Sequence, residues 1–126
     1  MRGVADANAL LAQGVNCSIA TNNVLNPFTP YGDCSLVRIA NLYANVIQRG
    51  TERDLAECFS MITDRAARIL RKDDYGIAVG NPADLVVWNA KSAAEVIARV
   101  AQPLMGYKRG RKVFSRELPA LHRASP

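Results

Sequence analysis

Residues 15–33 read Val-Asn-Cys-Ser-Ile-Ala-Thr-Asn-Asn-Val-Leu-Asn-Pro-Phe-Thr-Pro-Tyr-Gly-Asp. Val15, Cys17 and Ile19 recur at the two-residue period of a strand with one face inward, which predicts a short strand over Val15–Ala20. The strand runs into a polar loop, Thr21–Gly32, where Pro27 and Pro30 bar helix and restrict the residues before them. A long amphipathic pattern follows. Strand, loop and helix in that order form the unit of barrel and open α/β folds, in which sites are built on the loop at the strand's C-terminal end. The loop holds Asn22, Asn23 and Asn26 and no charge before Asp33. Each amide offers one acceptor oxygen and two N–H donors to a polar ligand. Asparagine is also favoured in turns, because its side chain bonds nearby backbone.

Upstream, Ala5–Gln13 has a helical pattern with Leu10 and Leu11 on its apolar side, and Gly14 closes it. Downstream, Asp33 or Ser35 caps a helix running to about Gln48, with Leu36, Ile39, Ala40, Tyr43 and Ile47 on one face and Gly50 as its stop. Thr51 and Asp54 have the spacing of a capping box, and Leu55, Cys58, Phe59 and Ile62 then face inward. Thr63 opens a third, short helix carrying Ala66, Ala67, Ile69 and Leu70. Tyr75–Pro82 is glycine-rich and turns the chain, with no strand-turn-helix unit around it to make a nucleotide fingerprint. Asp84–Trp88 reads as a strand, Ala93–Val100 as a helix, and Leu104–Lys108 with Lys112–Ser115 as a hairpin around Arg109-Gly110-Arg111. From Leu118 onward the chain is expected to be loose. A single strand ahead of three helices cannot satisfy its own backbone groups, so this pattern predicts an incomplete domain.

At 126 residues the chain is long enough for one modest core, and no apolar run is long enough for a bilayer span. Nothing near Met1 has the pattern of a secretory leader. Cys17, Cys34 and Cys58 are odd in number and lie in apolar-periodic segments, with neither disulfide nor zinc spacing; a reducing cytoplasm is the expected compartment. The net charge of +5 sits in the tail, where Lys108, Arg109, Arg111, Lys112, Arg116 and Arg123 oppose only Glu117. Without interleaved base-stacking aromatics, this tail reads as a solvated hairpin, and a nucleic-acid partner is not expected. His122 is the single histidine, so the chain alone cannot assemble a multi-histidine metal centre or pair a cysteine nucleophile with its usual base. Asp33 fits a helix cap, and Asp73-Asp74 fits a solvated turn.

Three blocks carry a resemblance to a known family: Thr21–Phe28 followed by Gly32, Ile62–Leu70, and Tyr75–Trp88. Together they resemble the C-terminal part of a cytosine deaminase-like member of the amidohydrolase superfamily. The resemblance implies an α/β fold: the incomplete C-terminal end of a metal-dependent (β/α)8 barrel plus strands of a small β-domain. Residues 1–71 would be the last barrel strand and outer helices, 72–117 a small β-domain segment, and 118–126 a loose tail. It implies hydrolysis of carbon–nitrogen bonds other than peptide bonds, the deamination of a cyclic amidine in a nucleobase-like small molecule. The parent family uses a divalent metal, zinc or iron. Asn22 falls where the family has its metal-binding aspartate, Asn23 matches a neighbouring acid that contacts substrate, and Phe28 matches an aromatic that covers the ring. An amide is a neutral, weak ligand and no base near neutral pH. No complete catalytic set is present, so the isolated chain is expected to be inactive and to need no cofactor. The alternative is a non-catalytic, oligomeric binding module that retains the fold remnant and buries its bare apolar faces against further copies.

Overall fold

In a computed structural model that describes residues 3–120 and 122, helix α1 (Ala7–Ala12) starts at Asp6, whose carboxylate accepts the Ala9 N–H at 3.1 Å. It ends in a Schellman motif: Val15 N–H bonds Leu10 O at 3.1 Å, Gly14 N–H bonds Leu11 O at 2.9 Å, and Gly14 takes φ 82°. Helix α2 (Leu36–Ile47) is capped by Ser35, whose Oγ accepts the Arg38 N–H at 3.2 Å. Helix α3 (Glu52–Met61) begins with the capping box read from Thr51 and Asp54, and α4 (Asp64–Ile69) follows directly.

Gly50 is not the residue that stops α2. Gln48 adopts the left-handed conformation at φ 57°, and Arg49 N–H reaches back to Ala44 O at 2.9 Å. Arg71 at φ 52° and Val100 at φ 48° play the same part after α4 and after α5 (Ala93–Ala98). Left-handed backbone costs a residue with a Cβ about 1–2 kcal/mol, more than glycine loses in chain entropy. Gln48 is exposed. Gln48→Gly is therefore expected to stabilise the fold by about 0.5–1 kcal/mol, read as a higher urea midpoint at unchanged slope. An unchanged or lower midpoint would refute it.

The core lies where α2, α3 and α5 meet. Val37, Ala40, Tyr43 and Ala44 of α2, Cys58 and Met61 of α3, and Val96 and Ile97 of α5 form one buried cluster. Burial pushes the Cys58 thiol up to about 11. A raised folded-state value means the unfolded chain ionises first, so this group's contribution is intact below pH 9 and is lost between about 9 and 11. Cys34 is exposed and Cys17 half-buried. Iodoacetamide on the native protein should accordingly modify Cys34 first and Cys58 only on unfolding, as mapped by mass spectrometry. Early loss of Cys58 would contradict this packing.

The sheet is antiparallel, in the order β1 (Leu85–Trp88), β2 (Pro103–Lys108), β3 (Arg111–Ser115). Arg109 and Gly110, both at positive φ, make the two-residue turn between β2 and β3. Asp84 fixes the opposite strand by accepting from the Lys108 ammonium and the Arg109 N–H. Phe114 lies over Gly106, where an added Cβ would come within 2.2 Å of the ring.

Val15–Ala20 does not form a strand. Cys17 and Ile19 turn inward against the core as the alternation requires, while Val15, at the helix end, is exposed. The segment has no ladder partner among the described residues, however, and it is tied to α3 by Ile19 N–H to Met61 O at 3.1 Å and to α4 by Asn16 Nδ2 to Arg65 O at 3.0 Å. Side-chain period and strand pairing are separate conditions, and here only the first is met. Within the described residues no helix is long and apolar enough to cross a membrane. Residues 118–120 and His122 are exposed, and the remainder of the predicted loose tail lies outside the described residues.

Candidate functional site: the asparagine loop

Loop 21–33 is built on Asn26. Its Oδ1 accepts the N–H groups of Phe28 and Thr29, each at 3.0 Å, and its backbone exchanges two 3.1 Å bonds with Thr29. Its Nδ2 donates to Asn23 Oδ1 at 2.7 Å. Thr21 Oγ1 donates to Asn23 O at 3.4 Å, and Leu25 N–H reaches Tyr31 O at 3.4 Å. Gly32 is held at φ 115°, where a Cβ would lie 3.1 Å from Val24 Cγ1 and 3.2 Å from the Arg38 guanidinium. That close approach ties the loop to the first turn of α2.

Asp33 serves this junction. Its Oδ1 accepts Ser35 N–H at 3.0 Å and Arg38 Nε at 2.9 Å, and these two partners hold the carboxyl below its ordinary value. A carboxylate so engaged is a turn group that holds Ser35, the residue that caps α2 in its place, and not a proton carrier.

Asn22 is exposed at the bend and makes no side-chain hydrogen bond among the described residues. Asn23 is half-buried and joined to Asn26. Phe28 is 76% exposed, its ring free of the core. The loop thus presents an amide, a second amide and an aromatic ring, and none of the three lines the cleft beside α2 and β1. That cleft, about 840 Å3, lies between the start of α2, the α3–α4 junction and β1, with Leu36, Phe59, Ile62, Tyr75 and Trp88 along it. Burial raises the Tyr75 phenol above its ordinary value. Only the two aromatics that bracket the block Tyr75–Trp88 point to this cleft at the level of sequence.

The donor set does not fit a metal ion. Among the described residues no three His, Cys, Asp or Glu side chains converge, residues 21–32 carry no charged donor, and Asp33 is engaged by Ser35 and Arg38.

The profile of the Amidohydrolase family matches residues 1–114. The chain belongs to the amidohydrolase family. It is 36% identical over 110 residues to N-isopropylammelide isopropyl amidohydrolase of Pseudomonas sp. (strain ADP), covering 86% of this chain and 27% of that protein. It is 34% identical over 119 residues to pterin deaminase of Rhizobium rhizogenes, covering 94% of this chain and 26% of that one. Its structure superposes on 5-methylcytosine deaminase from Klebsiella pneumoniae, liganded with 5-fluorocytosine, with a TM-score of 0.88 at 28% identity. That match covers 95% of this chain and 29% of the other. This amidohydrolase chain therefore spans between a quarter and a third of the length of the relatives it matches. They support a cytosine deaminase-like member of the superfamily, as the three sequence blocks implied.

Proposed function

We propose that this chain is the C-terminal segment of a metal-dependent amidohydrolase that cleaves a carbon–nitrogen bond in a nucleobase-like ring. In this reading loop 21–33 is the part of the active site that touches the ring. The observation that carries the reading is the superposition of 95% of the chain on a deaminase holding 5-fluorocytosine. Asn22 stands at the position of the family's metal-binding aspartate, Asn23 at that of a substrate-contacting acid, and Phe28 covers the ring. The zinc or iron ligands belong to the remainder of a (β/α)8 barrel, in which Val15–Ala20 gains strand neighbours. The division into 1–71, 72–117 and 118–126 is one of lineage rather than of separate cores, since α5 packs into the core built by α2 and α3. The compartment proposed is the cytoplasm. Self-association through exposed apolar residues such as Ile77 and Val79, 93% and 108% exposed, belongs to the same reading.

On its own the chain is proposed to be inactive. The test is ammonia release from cytosine by the purified 126-residue protein with zinc or ferrous iron supplied, alongside metal content after dialysis. The expected outcome is no turnover and less than one bound metal per chain. Turnover that a chelator abolishes would overturn it.

A further inference from the structure

We infer that Asn26 is a positioning residue that turns the NH2 end of Asn23 toward the ligand, so that the loop prefers an exocyclic carbonyl to an exocyclic amine at the ring edge that faces Asn23. This rests on the reading of loop 21–33 as the ring-contacting loop, and it names the chemistry that loop prefers.

The orientation of both amides follows from groups that cannot be reversed. Phe28 N–H and Thr29 N–H can only donate, so the Asn26 atom facing them at 3.0 Å is the oxygen. The other end of Asn26 is then NH2, which can only donate, so the Asn23 atom 2.7 Å away is also the oxygen. What Asn23 has left is its own NH2. Among the described residues it has no acceptor, and Asn23 is half-buried. Two backbone N–H groups thereby set, through one side chain, the hydrogen-bonding sense of the next. An acidic side chain at position 23 would present acceptors; Asn23 held by Asn26 presents donors. The matching ligand edge is a carbonyl oxygen, while an amine would set donor against donor and forfeit the bond.

The test uses Asn26→Asp. Its carboxylate still accepts from Phe28 and Thr29, so the turn is kept. Its second oxygen, now an acceptor, obliges Asn23 to flip and expose its own oxygen. The 15N-labelled full chain is titrated with 2-pyrimidinone and with 2-aminopyrimidine, which share a pyrimidine skeleton and differ in the exocyclic group and in the ring N–H of the oxo form, and shifts are followed at Asn22, Asn23 and Phe28. The expected result is a preference of roughly three- to tenfold for 2-pyrimidinone in the native chain, reversed in Asn26→Asp. Hydrogen exchange at the Phe28 and Thr29 amides reports whether the turn persists. If it melts, Asn23→Asp takes its place: that variant keeps the Asn26 donor bond and turns an oxygen outward, with the same reversal expected. Binding with one unchanged preference in the native chain and the variant would overturn the orienting role alone. No shift at the loop with either ring would overturn the ring-contacting reading and this inference together.

Discussion

Replacing Ile97 with alanine is expected to cost about 2–5 kcal/mol, the range for emptying a fully buried aliphatic site. Ile97 is wholly enclosed, at 0% exposure, on a helix of six residues. So short a helix has almost no stability of its own, so α5 exists through what its inner face buries. Val96 and Ile97 supply that face, against Cys58 and Met61 of α3 and the buried side of α2. The cavity cannot collapse easily, because the Ile97 carbonyl is held by Asn41 Nδ2 at 2.9 Å and keeps the α5 backbone in place. A domain of this size has only several kcal/mol in hand, so the variant should unfold at a much lower urea concentration. A cost under about 1 kcal/mol, read from equilibrium unfolding, would mean that α5 is not part of the cooperative core.

The second large effect is expected at Asn8, a buried polar residue that joins α1 to the remainder of the fold. Its Oδ1 accepts the Tyr43 hydroxyl proton at 2.6 Å, its N–H donates to Tyr43 Oη at 3.2 Å, and its Nδ2 donates to Glu57 at 2.9 Å. Glu57 in turn receives Arg65 at 3.4 Å. Asn8→Ala leaves the Tyr43 hydroxyl enclosed with its proton unclaimed, a loss of about 1–3 kcal/mol. Tyr43→Phe strands Asn8 Oδ1 and the Asn8 N–H instead, so a loss of similar size is expected. The double variant should show a coupling of at least about 0.5 kcal/mol, and strict additivity would show that the network carries no shared energy.

The parts of this fold that the sequence disclosed are those decided within a few residues. Thr51 and Asp54 make a capping box by local geometry alone, and Arg109-Gly110 makes its turn for the same reason. The inward face of α3 came out in part: Cys58 is buried and Leu55, Phe59 and Ile62 pack against the core, but the fully enclosed Met61 was not among the spaced positions. Legibility failed where a distant partner decides. On α2 the apolar spacing placed Leu36 in the buried set, yet the cleft leaves it partly exposed, and Val37 and Ala44 fill the core instead. Gly50 looked like the helix stop because glycine is the cheapest left-handed residue, but hydrogen-bond closure fell on Gln48. Val15–Ala20 carried a strand's alternation without the neighbours that make a strand. Within the loop, the three asparagines were visible as candidates. Only the bond network separated Asn26, which spends its side chain on the turn and on Asn23, from Asn22, which spends none.

Residues 21–32 contain no carboxylate, imidazole or amine, and the Tyr31 phenol is the one titratable side chain among them. A surface of this kind keeps the same charge across the whole neutral range. If the loop contacts a ring as proposed, any acid–base profile in that affinity would therefore belong to the ring. Heterocycles that gain or lose a proton between pH 5 and 8 would be discriminated by their own tautomers, with the protein acting as a fixed reader of whichever form is present.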